Sequence, residues 1–326
     1  MSPRSPLVRR LVQLPLILAA VYTITLALAW AVPGNPVDRP EGRRPPAEVI
    51  AAMEARYNLD SFWSFYWSYL GRVSGARWVA GAASGETPEG PVFDLGPSLQ
   101  YRDRTVNEII GASLPVSMLV GATAILIALV IGLGAGVLGA WRPGSWLDAS
   151  TLLVALVGIS VPTFVVATAL QFLFAVAIPV ADVGTFRLPG SLVLPSFTLS
   201  LPFAAYIARL TRMGMIEALQ SDYVRTARAK GAGEARVLLV HALRNAFLPV
   251  LSYLGPAAAM AMTGSFVVER IFSIPGMGQH FVNAVQNKDL FLLLGIVLVF
   301  ATMLVLLNLA VDLMYRWVDP RVKAGA

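Results

Sequence analysis

The chain has 326 residues, of which 56% are hydrophobic and only 13% charged, with a mean hydropathy of +0.68 and a net charge of +6. A soluble domain carries about 25% charge and could not keep this much apolar surface dry, which excludes a cytosolic enzyme, a disordered chain and a collagen-like fibre. The absence of Cys excludes a disulfide framework, a Cys-ligated metal and a thiol nucleophile, and the two His residues, His241 and His280, leave almost no material for a His-based metal site.

What remains is an integral membrane protein. A helix needs roughly 20 apolar residues to cross a ~30 Å hydrocarbon core. Six uncharged windows meet that need, at 11–32, 112–140, 149–178, 192–208, 246–268 and 290–311. Barrel strands would instead show alternating runs of about ten residues, so the expected class is all-α with six transmembrane helices. The first window follows Arg9 and Arg10 and contains Ala27-Leu28-Ala29, which has the look of a signal cleavage site. A signal's apolar stretch runs to only about 7–15 residues, so this window is read as a retained anchor.

Between the first two windows lies a long segment, 33–111. Pro33-Gly34-Asn35-Pro36 ends the first helix, because Pro cannot continue it and Gly permits the turn. Val49, Met53 and Tyr57 recur at spacing four, which predicts a short amphipathic helix over 47–57. Phe62, Trp63, Phe65, Tyr66, Trp67 and Tyr69 then crowd together. Aromatic rings with polar tips favour the headgroup level, which predicts a segment lying on the outer membrane surface, a peptide-binding groove being the alternative. Residues 80–91 are rich in Gly, Ala, Ser and Pro and read as a loop tip.

The second window carries Gly132, Gly134, Gly136 and Gly139, and the fifth carries Gly255, Ala257, Ala258, Ala259, Ala261 and Gly264. Small residues at such spacing let helix backbones approach closely in lipid, either as fixed packing or as a sliding surface. Pro162 and Pro202 predict kinks in the third and fourth spans.

Lys and Arg in short loops set orientation. With the N-terminus inside, the inner segments hold fourteen basic residues, seven of them between Arg209 and Arg244; the two short outer loops hold Arg187, Arg270 and Lys288. Both termini are therefore expected in the cytoplasm, and the net positive charge is a topology signal rather than a nucleic-acid footprint.

No Asp, Glu, Lys, Arg or His lies inside any of the six windows. Proton-coupled carriers generally need a buried carboxylate or His, so a stand-alone secondary carrier or channel is the weaker reading. An intramembrane enzyme lacks any nucleophile–base or metal-ligand set, and no catalytic or metal residue is expected. Among the polar groups within the windows are Gln171, Ser196, Thr198, Ser200 and Asn308. Gln171, Thr198 and Ser200 are the candidates to line a solute path. A wall this poor in charge leaves energy and selectivity to other components.

Residues 221–249 read Ser-Asp-Tyr-Val-Arg-Thr-Ala-Arg-Ala-Lys-Gly-Ala-Gly-Glu-Ala-Arg-Val-Leu-Leu-Val-His-Ala-Leu-Arg-Asn-Ala-Phe-Leu-Pro. They predict two helices. Ser221 or Asp222 can cap the first, and Gly231 can close it in the left-handed conformation. Tyr223 and Ala227 share one face, Arg225 and Arg228 another. The second helix starts near Glu234 and carries Val237, Leu238 and His241 into the fifth span. A short helix tied between two spans is a suitable lever for another protein to push.

This loop resembles the cytoplasmic EAA loop of ATP-binding-cassette importer permeases, and in particular the peptide/nickel (dipeptide/oligopeptide) subfamily. Arg9-Arg10-Leu11 with Pro33-Gly34-Asn35-Pro36 is similar to that family's first span and its exit. So are Asp94-Leu95-Gly96 with Ser98 and the run 105–115. Gly144-Ser145-Trp146-Leu147-Asp148, Val268-Glu269-Arg270-Ile271-Phe272 with Pro275-Gly276-Met277-Gly278, and Asp319-Pro320-Arg321 also fit. The long first outer loop resembles the B-type of the two paired permeases.

The resemblance implies a type I importer permease fold: a first span at 1–32, an extracytoplasmic loop at 33–111, a permease core at 112–316 with a coupling loop at 209–245, and a cytoplasmic tail at 317–326. It implies an ATPase-coupling helix over 222–230, made of Asp222, Tyr223, Arg225, Thr226, Ala227, Arg228 and Lys230 and closed by Gly231. It also implies an external gate near Pro275, Gly276 and Gly278, with a short outer helix over 276–287. The implied partners are a homologous C-type permease, two cytoplasmic ATPases, an extracytoplasmic solute-binding protein and the lipid bilayer. No cofactor is expected on this chain; ATP–Mg belongs to the ATPases, and of the three lysines none follows Gly, so G-x-x-x-x-G-K-[ST] is absent. The expected location is the cytoplasmic (inner) membrane of a bacterial or archaeal cell, and the solute could be a dipeptide, an oligopeptide, a nickel chelate or an opine.

Overall fold

The computed structural model describes residues 6–36, 46–85, 90–101, 103–179, 181 and 190–318, and every regular element among them is helical. In chain order these are α1 (Pro6–Ala31), α2 (Ala47–Tyr57), α3 (Phe62–Val73), α4 (Ala76–Ala83), α5 (Val106–Trp141), α6 (Trp146–Ser160) and α7 (Thr163–Gln171), the last extended by a π-helical turn over Phe172–Ala177. Then come α8 (Gly190–Leu219), α9 (Asp222–Ala229), α10 (Glu234–Arg236), a second π-helical turn over Val237–Ala242, α11 (Leu243–Met262), α12 (Phe266–Ile271), α13 (Met277–Gln286) and α14 (Leu290–Val318).

Five helical stretches are long and apolar enough to cross a membrane, six if α6 and α7 together count as one broken span. The third window, 149–178, in which Pro162 predicts a kink, falls on that pair. Its two helices are bent by 98°, far beyond a kink. The cause is local: the residue before a proline avoids the helical region, and Val161 sits at φ −79°, ψ 123° ahead of Pro162. Pro195 and Pro202, by contrast, lie inside one continuous α8.

Contacts divide the chain into two compact units that cut across the sequence boundaries at 33 and 112. One unit comprises Val12–Pro115 and Met277–Thr302; the other comprises Met1–Leu11, Val116–Gly276 and Met303–Ala326.

In the first unit the aromatic run is largely core rather than a segment laid on the membrane. Phe65 and Tyr69, four apart on α3, are buried and stacked at 5.7 Å; Tyr22 and Trp30 of α1 and Phe291 of α14 complete the cluster. Trp63 and Trp67 alone keep the exposed, amphipathic character the sequence suggests, each more than 60% exposed. The expected loop tip over 80–91 begins as the end of α4, and residues 86–89 fall outside the described residues. Segment 94–105 is stapled to the α13–α14 corner. The buried Asp289 carboxylate accepts from Ser98 Oγ at 2.5 Å, from Leu99 N–H at 3.1 Å and from Gln100 N–H at 3.3 Å, and its other oxygen caps α14 at Leu292 N–H.

In the second unit the small residues of α5 do what lipid-phase packing requires. A Cβ on Gly132 would come within 2.7 Å of Ala204 O and Ile207 Cβ, and one on Gly136 within 2.5 Å of Thr211 Cβ, so α5 and α8 touch backbone to backbone there. α8 is also the partner of α6 and α11, making it the axis of this unit.

Candidate functional site

The segment between α8 and α11 carries the expected lever, and each of its residues can be placed. Val224 is the one fully buried residue of α9, anchoring a helix whose other side chains point outward. Asp222, Arg225, Thr226, Arg228 and Lys230 are exposed, Ala227 is half-buried, and Tyr223 is 42% exposed. The expected side-chain N-cap does not form: Ser221 holds the cap position, yet its hydroxyl donates to Ala218 O at 2.5 Å. Ser221 also ends the turn after α8, where its own N–H donates to the same Ala218 carbonyl at 3.2 Å, and the hydroxyl is drawn to that side.

The C-terminal cap is as the sequence suggests. Gly231 takes φ +81°, its N–H reaches Arg228 O at 2.9 Å, and Ala232 N–H reaches Ala227 O at 3.1 Å. These are the paired bonds of a Schellman closure. Two side-chain links then fix the direction of α9. Arg228 clasps Glu234 through Nε at 2.9 Å and Nη2 at 3.2 Å, across the Gly231 turn, and Asn245 Nδ2 on α11 donates to Tyr223 Oη at 2.8 Å. Arg225 meets Asp222 at 3.5 Å with both side chains in the open, a contact of little energetic weight. The exposed face of α9 is thus basic, closed at its C-terminus and tied by side chains to α10 and α11.

Behind it, Ala140, Met215, Ala218, Leu238, Ala242 and Ala246 form a small buried cluster. Beside that cluster Arg212 of α8 grips Asp148 of α6. The sequence offered Asp148 only as part of a motif and Arg212 only as one of the inner charges.

The other candidates are not gathered into one place. Thr198 and Ser200 are fully buried, and their hydroxyls donate to carbonyls of their own helix, Leu194 O at 2.8 Å and Phe197 O at 2.7 Å. Gln171 Nε2 donates to Ile271 O at 3.0 Å, joining α7 to α12. Pro275 is exposed, while Gly276 and Gly278 are buried. Gly276 lies so close to Glu269 and Ser117 that a Cβ there would collide with the carboxylate and sit 2.6 Å from Ser117 Oγ. Glu269, just past the edge of the fifth window, is 1% exposed and accepts from Ser117 Oγ at 2.7 Å. Pattern reading missed this buried acid because the window was closed at the first charge.

Comparison with known proteins decides the family. Residues 128–324 match the model for the binding-protein-dependent transport system inner membrane component. The chain belongs to that family. The segment matched runs from the middle of α5 and includes the whole of α9 with its flanking helices. Among curated proteins, this permease is 38% identical over 304 residues to the dipeptide transport system permease protein DppB of Bacillus subtilis, covering 93% of this chain and 92% of the relative. It is also 38% identical over 308 residues to the oligopeptide transport system permease protein OppB of Salmonella typhimurium, covering 93% and 94%. Among solved structures, a chain of the MetNI methionine ABC transporter in an inward-facing conformation matches with a TM-score of 0.50 and 20% identity, over 65% of this chain and 97% of that one. That likeness concerns the fold, and it agrees with an all-helical importer permease. The protein is a multi-pass component of the inner membrane.

Proposed function

We propose that this chain is the B-type membrane subunit of an ATP-driven importer of di- or oligopeptides. The observation that carries the reading is α9: a short basic helix, anchored by Val224, closed at Gly231 and bolted to its neighbours by Arg228–Glu234 and Tyr223–Asn245. A helix exposed on one side and rigid on the other transmits a push without absorbing it. In this reading Asp222, Tyr223, Arg225, Thr226, Ala227, Arg228 and Lys230 face a cytoplasmic ATPase, one of a pair that holds ATP–Mg. A homologous C-type permease supplies the other half of the path, and an extracytoplasmic binding protein delivers the solute. Both termini lie in the cytoplasm, and Pro275, Gly276 and Gly278 stand at the external gate. Peptide as the solute is supported by the names of the relatives, which are dipeptide and oligopeptide transport permeases over nearly the whole length.

The test is reconstitution of the five-component complex in liposomes. Uptake of a labelled tripeptide should require ATP inside, the binding protein outside and every subunit. Uptake by this chain alone under a proton gradient, or none by the complete complex, overturns the proposal.

A further inference from the structure

Within the unit built on Val116–Gly276 there is a cavity of about 440 Å³. Two broken helices converge on it. Ile159 and Thr163 flank the α6–α7 break, Gly264 and Ser265 form the break between α11 and α12, where Gly264 takes φ +93°, and α8 contributes the floor. Non-helical backbone at membrane depth persists only where it is enclosed by protein or borders a wet cavity. Tyr206 of α8 and Tyr253 of α11 stand in the wall with ring centroids 4.5 Å apart. Among the described residues neither phenol hydroxyl has a hydrogen-bond partner. Tyr206 is 42% exposed and Tyr253 half-buried, so both hydroxyls are open to an occupant of the cavity.

The lining contains no charged side chain. Its polar groups are hydroxyls, on Thr163, Tyr206, Tyr253 and Ser265; Ser265 Oγ already accepts from Val268 N–H at 3.4 Å and keeps its proton to donate. A hydroxyl both donates and accepts. This is the chemistry that greets a peptide amide, which offers one donor and one acceptor per residue whatever its sequence. Pro202, Phe203 and Met260 supply apolar surface beside the hydroxyls. The volume falls within the range of about 300–1,000 Å³ usual for small-molecule sites.

We infer that this cavity is a transit site for peptide cargo, holding one bulky apolar or aromatic side chain against Phe203 and Met260 while Tyr206 and Tyr253 hydrogen-bond the adjacent backbone amides. The inference rests on the peptide-importer reading and adds a place to it. The absence of charge makes the site indifferent to acidic and basic side chains, as a permease that leaves selection to a binding protein requires.

The test uses the complete complex in liposomes with two probes, Ala-Ala-Ala and Ala-Phe-Ala. Met260→Trp, at a residue that is 68% exposed, should cut import of Ala-Phe-Ala several-fold more than import of Ala-Ala-Ala. The double change Tyr206→Phe and Tyr253→Phe should slow both peptides by about fivefold, the effect of two lost hydrogen bonds. Basal ATP hydrolysis and peptide affinity for the binding protein should not change. Equal loss of both peptides in Met260→Trp, or no loss in any variant, overturns the inference, and so does failure of that variant to co-purify with the second permease, which makes the surface a subunit contact. A second measurement needs no variant: a tripeptide bearing p-benzoylphenylalanine, irradiated during turnover, should attach to Tyr206, Phe203 or Met260, and attachment only elsewhere in the complex also overturns it. If the unaltered complex imports neither peptide, the failure belongs to the peptide reading itself.

Discussion

Arg212 and Asp148, 64 positions apart, are joined by two parallel hydrogen bonds, Nε to Oδ1 at 2.5 Å and Nη2 to Oδ2 at 2.8 Å. The Asp148 carboxylate also accepts from Gly144 N–H at 2.8 Å, and its side chain is only 4% exposed. A bidentate pair of this kind fixes direction as well as distance, so α6 and α8 are held in one register just before α8 delivers the chain to α9. Halving such a pair leaves a buried charge without its partner, at a cost of about 3–5 kcal/mol, whereas removing both costs less. Asp148→Ala and Arg212→Ala should each lower the melting temperature of the purified protein, and the double variant should lose clearly less than their sum. Additive losses in that cycle would show the two residues to be energetically independent.

Gly231 illustrates a constraint set by backbone alone. A Cβ there would meet nothing within 4 Å, yet its φ is +81°. The penalty for a side chain is therefore the left-handed strain of about 1–2 kcal/mol, highest for β-branched residues and lowest for Asn. In the assembled importer, Gly231→Val should leave membrane insertion and ATP hydrolysis in place while peptide uptake falls, and Gly231→Asn should retain most uptake. Ala227, half-buried on the same helix, should show the uncoupled behaviour when replaced by Trp. Normal uptake in Gly231→Val and Ala227→Trp, measured beside ATP turnover, would remove α9 from the coupling role.

The helices were legible because apolar length is a one-dimensional property. The windows found α1, α5, α8, α11 and α14, and the spacing of Val49, Met53 and Tyr57 gave α2 to the residue. The Schellman closure was legible too, since Gly is the residue that adopts a positive φ cheaply. What could not be read were the pairings across long separations. Nothing in the pattern joins Ser98 to Asp289 or Ser117 to Glu269, 191 and 152 positions apart. The aromatic run misled for a related reason: rings that suit a membrane surface suit a core equally well, and only the partners Tyr22 and Phe291 decide. A proline signals a bend without its size, which is why the 98° break at Pro162 and the continuous helix through Pro202 had the same signature.

The Glu269 site is expected to be intolerant in a graded way. Ser117 is fully buried, Glu269 nearly so, and Gly276 leaves no room for a methyl group beside them. Gly276→Ala must push the Glu269 carboxylate or the Ser117 side chain aside, and Glu269→Ala leaves a cavity beside Ser117; each should cost about 2–4 kcal/mol. Glu269→Gln keeps the shape and an acceptor oxygen for Ser117, so its loss should be smaller. Melting temperatures and yields of folded protein in that order check the site. A Glu269→Ala variant as stable as the parent would show that the carboxylate is not a structural tie.

His280 gives the unit containing α13 a pH dependence with a definite sign. Burial lowers its pKa below the ordinary 6.5, and the Arg104 guanidinium lowers it further. Its ring packs edge-on against Tyr101 at 5.4 Å, and its Nδ1 is buried without a hydrogen-bond partner among the described residues. The neutral imidazole is thus the form the fold accepts. A base whose folded pKa is depressed contributes its full stability above the unfolded value and loses it as pH falls from about 6.5 towards the folded value, because the unfolded chain takes up the proton first. Asp289, nearby in the same unit, works in the opposite sense: burial raises its pKa despite the bonds from Ser98, Leu99, Gln100 and Leu292, so protonation at acid pH relieves a strain rather than adding one. Acidification from pH 7.5 to 5.5 should therefore lower the melting temperature of the parent protein, and His280→Phe, which keeps the ring contact with Tyr101, should flatten that slope. An unchanged slope in His280→Phe would assign the acid sensitivity to another group.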